Sequence, residues 1–162
     1  MTPNSKSPDN DSRRLSRRLA MGLMFQHQAG GDELRPEEAV RLFEQNFAPQ
    51  HDLEEALDLS LEMFEIAWPM AKDLFLGATD HIEELDKDID EAAINWSINR
   101  MSMVDLALLR LAYYEMRYRT DIPPLVSLNE AIELAKDFGD AYSTAFINGI
   151  LDRLLNRIEV KS

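Results

Sequence analysis

Four arginines, Arg13, Arg14, Arg17 and Arg18, crowd into the stretch DSRRLSRRLAMGLMFQHQ, residues 11–28, of a chain whose formal net charge is −13. On a helix turning about 100° per residue they fan over roughly 140°, with Phe25 inside the same arc and Leu15, Leu19 and Leu23 on the opposite side. A planar guanidinium meets a phosphate at two points, and an aromatic ring beside it is a platform for an unpaired base, so this edge suits single-stranded RNA. A solvated amphipathic helix with Phe25 in the core accounts for the same pattern, and composition alone favours it. The placement of arginines near a helix N-terminus counts the other way, because there they oppose the macrodipole.

Other reactive residue types form no recognisable constellation. Asp86, Asp88 and Asp90 match the first three ligand positions of a calcium loop, but Glu91 stands where that loop needs glycine and Ser97 where it needs glutamate. His81 and Glu84 share a helical face, yet two ligands make no metal site. His27 and His51 have no partner at a meaningful spacing. Cysteine is absent, which removes disulfides, thiolate ligands and cysteine nucleophiles. Without a phosphate loop, nucleophile elbow or zinc-protease motif, no catalytic residue, metal or cofactor is assigned, and the chain reads as a non-enzyme. Tyr113, Tyr114, Trp68 and Trp96 stand among apolar helical neighbours and read as core.

The elements that must hold these residues follow from composition and punctuation. Apolar residues make up 45% and charged residues 29% of 162 residues, the balance of one packed domain. Residues 1–28 hold five basic groups against two acidic (+3), residues 29–99 four against nineteen (−15), and residues 100–162 eight against nine (−1). Charge asymmetry of this kind points to a split surface, on which a basic end more than a Debye length from the acidic middle, about 8 Å in physiological salt, can still bind phosphate. The polar start MTPNSKSPDN carries no apolar targeting segment, and no run is long enough to span a bilayer, so a cytoplasmic protein without membrane contact is expected.

Asp11 or Ser12 caps a first helix reaching Gln28, ahead of Gly30-Gly31, and residues 1–12 read as a flexible arm before a single domain over 13–162. A second helix spans about 36–46. Pro69 divides a helix over 52–67 from another over 69–94, and Trp96–Asn99 reads as a connector. Val104, Leu108, Leu111 and Ala112 mark one face of a helix that Pro123-Pro124 ends. Ser127 with Glu130 forms a capping box, Gly139 closes that helix, and a last helix spans about 143–158 with Phe146, Ile150 and Leu154 on one stripe. No segment alternates as a strand does, so the fold is an all-α bundle of about seven helices.

The runs WSINRM (96–101), VDLALLRLAYYEM (104–116), LNEAIELAK (128–136) and FINGILD (146–152) resemble, in order and spacing, the signature of the NusB family of transcription antitermination factors. Arg13-Arg14, Arg17, Ala20 and Leu23 are similar to the family's opening helix, and the likeness extends over about 13–155, loosest between 30 and 90. The resemblance implies two packed helical subdomains, no enzymatic activity, and binding to boxA-type single-stranded RNA of rRNA leader transcripts together with the ribosomal protein NusE, within the transcription elongation complex. It places Arg13, Arg14 and Arg17 on the RNA, with Phe25 and Phe146 beside an unstacked base. Arg18 stands where the family often has an acidic residue and extends the basic edge. Ala145 replaces a common lysine and Tyr142 a common acidic residue, which weakens a second RNA patch near Phe146. A helical protein–protein adaptor with little RNA binding of its own is the alternative. Monomer and homodimer both remain open. All of this requires the basic edge to be free rather than tied up in internal carboxylate pairs.

Overall fold

The computed structural model describes residues 8–30, 33–47 and 61–161. Among them run seven α-helices: α1 (Pro8–Gly30), α2 (Pro36–Phe47), α3 (Leu61–Asp80), α4 (Ile82–Ala92), α5 (Met103–Tyr118), α6 (Pro124–Phe138) and α7 (Ser143–Lys161), with a short 3₁₀ turn at Ile98–Arg100 between α4 and α5. The described residues contain no strand. The expected all-α bundle is therefore the observed architecture.

Helix α1 lies along α3 and α5, and α2 closes against α1 and α3. Helix α5 touches α1, α3, α4, α6 and α7, so it joins the group α1–α3 to the group α4–α7. One continuous core, including Met24, Phe75, Leu85, Leu108, Ile150 and Leu154, runs through both groups. Full burial of such a side chain stabilises by roughly 1.5–3 kcal/mol. The leucine face of α1 enters this core through Leu23, with Leu19 half-buried against it, and Leu15 is buried on the same face. Ser16 draws α1 onto α3, its Oγ lying 2.7 Å from the carbonyl oxygen of Ala67. Gly77 permits a close approach of α3 to α5, since a Cβ there would stand 2.1 Å from the ring of Tyr114.

Several boundaries differ from the sequence reading. Helix α1 begins at Pro8, so residues 8–12 belong to it and not to an arm, and neither Asp11 nor Ser12 is a cap. Pro is pre-organised for a first helical turn and needs no N–H there. Residues 52–60 of the third expected helix, and His51, lie outside the described residues, while 61–67 belong to α3. Pro69 does not break α3. It costs the hydrogen bond to the Glu65 carbonyl, but Glu65 and Pro69 are both on the exposed side of the helix, so the loss faces solvent and not the core. The interruption falls instead at His81, and even there hydrogen bonding continues, from His81 N to Gly77 O at 3.1 Å and from Leu85 N to His81 O at 3.0 Å.

The capping box at Ser127 and Glu130 does not form. Helix α6 starts at Pro124, Ser127 is buried inside it with no hydrogen-bond partner for its hydroxyl, and Glu130 turns toward α1. The helix is already under way at Ser127: its first turn starts at Pro124, whose fixed φ suits that position, and the Val126 amide donates to the Pro123 carbonyl at 2.9 Å. Gly139 ends α6 with extended backbone (φ −87°, ψ 178°) rather than a left-handed turn. Its missing side chain serves the approach of Ser143, whose Cβ would sit 2.4 Å from a Cβ at 139. Trp68, Tyr113 and Tyr114 are buried as expected, but Trp96 is 44% exposed, with Arg100 over its ring at 4.9 Å.

Candidate functional site

The four arginines of α1 face helices α5 and α6 and the turn between them, and each meets a carboxylate. Arg17 goes inward. It is 5% exposed, and its Nε lies 3.0 and 3.1 Å from the two oxygens of Glu115, itself 2% exposed, while Nη2 lies 2.5 Å from Oε1. A second carboxylate, Glu130, stands 3.9 Å from Nη1. Charges this buried persist only as a pair. The assignment of Arg17 to an RNA contact is therefore corrected: its guanidinium joins α1 to α5 inside the protein.

The other three are graded by how firmly they are held. Arg14 approaches Glu130 in two-point fashion, Nε to Oε2 at 3.3 Å and Nη2 to Oε1 at 3.4 Å, with its own side chain 42% exposed. Arg18 Nη1 donates to Asp137 Oδ2 at 3.0 Å, and both side chains are about half exposed. The Arg18 guanidinium also stands over the ring of Phe138, 4.9 Å from its centre. Arg13 is the loosest, 3.8 Å from Asp121. That carboxylate is already committed to Arg119, whose hydrogen bonds at 3.0 and 3.1 Å hold the Asp121 carboxyl below its ordinary range.

Arg14, Arg17 and Arg18 line one wall of an open groove of about 270 Å³, with Glu130, Glu133 and Asp137 of α6 on the other. The expectation of a free basic edge is thus revised. The arginines share one direction, as the helical wheel requires, but carboxylates of α5, α6 and their connecting turn already occupy them. This also accounts for arginines near the start of α1: the helix begins at Pro8, so its dipole has faded by Arg13, and the carboxylates outweigh what remains.

Neither Phe25 nor Phe146 lines the arginine groove. Phe25 is half-buried on α1, away from the leucine face. Phe146 packs partly against the core and lines a separate groove of about 570 Å³ with Trp96, Arg100, Met101 and Tyr142. Asp137, near the end of α6, lines the first groove, and Asp140, just past that helix, lines the second. Tyr142 is 82% exposed and Ala145 is exposed, so both departures from the family pattern sit on the surface.

Sequence reasoning missed Glu115, Glu130, Asp137 and Phe138. A lone glutamate within LAYYEM, in the most buried helix, was the available signal for an internal cation. Asp137 lies 119 residues from Arg18 and has no local signature. His81 and Glu84 do meet, Nδ1 to Oε1 at 3.2 Å, while the imidazole stacks on Tyr118 at 4.3 Å between ring centres. Among the described residues no three or more potential ligands converge on a metal position, and no helix is long and apolar enough to cross a membrane.

Comparison with known proteins places this geometry. The sequence profile of the NusB family matches residues 14–156. The transcription antitermination protein NusB of Geobacter sulfurreducens is 40% identical over 150 residues, covering 93% of this chain and 98% of that protein. Among solved structures, T. maritima NusB is similar at 32% identity with a TM-score of 0.68, covering 89% of this chain and 90% of that one. A structure of the antitermination factors NusB and NusE in complex with dsRNA shares the fold at 23% identity, with a TM-score of 0.68 over 90% of this chain and 97% of that one. The profile match and the 40% identity show that this chain belongs to the NusB family of transcription antitermination proteins, a non-enzymatic group.

Proposed function

We propose that this chain binds boxA-type single-stranded RNA of rRNA leader transcripts together with the ribosomal protein NusE, and so supports rRNA transcription as part of the elongation complex in the cytoplasm. The observation that carries the reading is the α1–α6 edge, where Arg13, Arg14 and Arg18 reach the surface from one side of one helix. Phosphates taken by these three side chains hold the strand, and contacts to the bases select it. Phe25 and Phe146 are the candidate stacking partners, on a path that runs from the arginine groove past the end of α6 toward the Phe146 groove. The complex of NusB and NusE with dsRNA supports both partners for this relative. The acidic stretch over residues 29–99 suits a basic ribosomal protein, with potentials complementary across the interface.

The alternative is an adaptor of the same fold with little RNA affinity of its own, favoured by the carboxylate already beside each arginine. A mobility shift with a short boxA-type RNA, with and without NusE, separates the two. RNA bound by the chain and tightened by NusE supports the proposal, whereas NusE binding that RNA leaves unchanged supports the adaptor. A homodimer that covers the basic edge is the competing assembly, and it predicts dissociation to monomers when RNA and NusE are added together.

A further inference from the structure

Among the ion pairs that line the α1–α6 groove, that of Arg18 and Asp137 is the one that can open without unfolding anything. Arg17 and Glu115 are buried, and Glu130 is 14% exposed and shared between Arg14 and Arg17. Arg18 and Asp137 are 48% and 55% exposed at the mouth of the α1–α6 groove. A solvated ion pair of this kind is weak and exchangeable. The ring of Phe138, 40% exposed beneath the guanidinium, keeps Arg18 positioned whether or not Asp137 is in contact. A carboxylate and a phosphate offer the same paired oxygens to a guanidinium, so one replaces the other without moving the arginine.

We propose that Asp137 is an autoinhibitory carboxylate, occupying on Arg18 the place that an RNA phosphate takes, so that RNA binding is an exchange in which the Arg18–Asp137 pair opens as the Arg18–phosphate pair forms. This rests on the RNA-binding reading above. No covalent bond changes; the displaced carboxylate takes up solvent cations while the phosphate releases those condensed on it. After exchange Asp137 stands beside the strand and repels it, so a polyanion that offers only charge is disfavoured against one that also makes base contacts. Net charge alone gives a different expectation, in which any lost carboxylate helps equally.

The test measures binding of a fluorescent boxA-type single-stranded RNA, and of a uridine homopolymer of equal length, to the full chain at fixed salt. Asp137→Asn is expected to tighten both RNAs by roughly 1.5- to fivefold, the worth of one exposed ion pair, and the homopolymer more. Glu37→Gln, an equal change of charge at an exposed position of α2, is expected to change neither by as much. In an Arg18→Ala background the gain from Asp137→Asn is expected to fall by at least half, because the pair to be opened no longer exists. An equal gain in both backgrounds, or one matched by Glu37→Gln, overturns the exchange and leaves a diffuse charge effect. RNA binding by the parent with no gain in Asp137→Asn overturns this proposal and spares the RNA-binding reading. No binding by any variant, with or without NusE, overturns both.

Discussion

Replacing Arg17 by alanine separates a structural arginine from the neighbouring arginines proposed to hold RNA. The substitution removes contacts of 2.5, 3.0 and 3.1 Å to Glu115, a carboxylate only 2% exposed in the parent, and leaves it without its partner. The other cation near the network, Arg14, pairs with Glu130 and not with Glu115. Breaking a buried pair from one side costs about 3–5 kcal/mol, far more than an exposed pair, because the remaining charge is desolvated without compensation. In a chain of this length about 1 kcal/mol shifts Tm by about 2–4 °C, so Arg17→Ala is expected to lower Tm by roughly 6–20 °C. Replacing both partners, Arg17→Met with Glu115→Leu, removes both charges and is expected to recover most of the loss. Urea unfolding followed by circular dichroism gives the two free energies, and the RNA affinity of whatever remains folded gives the third number. An Arg17→Ala variant as stable as the parent but deficient in RNA binding would refute the argument, since the guanidinium would then be serving the RNA and not α5.

Three further outcomes follow from the packing and the charge pairs. Gly77→Ala places a methyl group against the buried ring of Tyr114, and overpacking of this kind is expected to cost about 1–3 kcal/mol in thermal denaturation, partly relieved by Tyr114→Leu. Ser102→Ala removes the hydroxyl that accepts the Asp105 amide at 3.1 Å at the start of α5, and is expected to cost about 0.5–2 kcal/mol in the same measurement. The Asp121 carboxyl is held low chiefly by its hydrogen bond from Arg119. Its stabilisation is therefore present above the unfolded carboxylate range and is lost as pH falls through the lowered folded value. Urea midpoints of Asp121→Asn are expected to decline less steeply than the parent's below about pH 4, by a small amount because the carboxylate is half exposed.

Helical periodicity made most of the bundle readable, because each helix buries a stripe whose spacing the chain displays directly. Phe146, Ile150 and Leu154 on α7 and the leucine face of α1 are cases in which pattern and packing agree. What misled were residues whose role depends on which side of a helix faces water. Pro69 breaks nothing because its lost hydrogen bond points to solvent, and Ser127 caps nothing because Pro124 starts the helix one turn earlier. The direction of the arginines on α1 was legible, since it is a matter of angle. Their engagement was not, because Glu115, Glu130 and Asp137 come from helices about a hundred residues away, and only the folded chain shows that the same arc of α1 meets them. The separation of Phe146 from the arginine groove was equally invisible, being set by the turn between α6 and α7.

The central claim is that Arg13, Arg14 and Arg18, and not Arg17, hold phosphates of an RNA strand. A salt titration of boxA-type RNA binding tests it most directly, comparing the parent with Arg13→Ala/Arg14→Ala/Arg18→Ala, in which the Arg17–Glu115 pair is left intact. Three lost single-strand phosphate contacts are expected to weaken binding and to lower the slope of log affinity against log salt by about 2, at roughly 0.7 per contact. A triple variant that binds as tightly as the parent, with the same slope, would contradict the account.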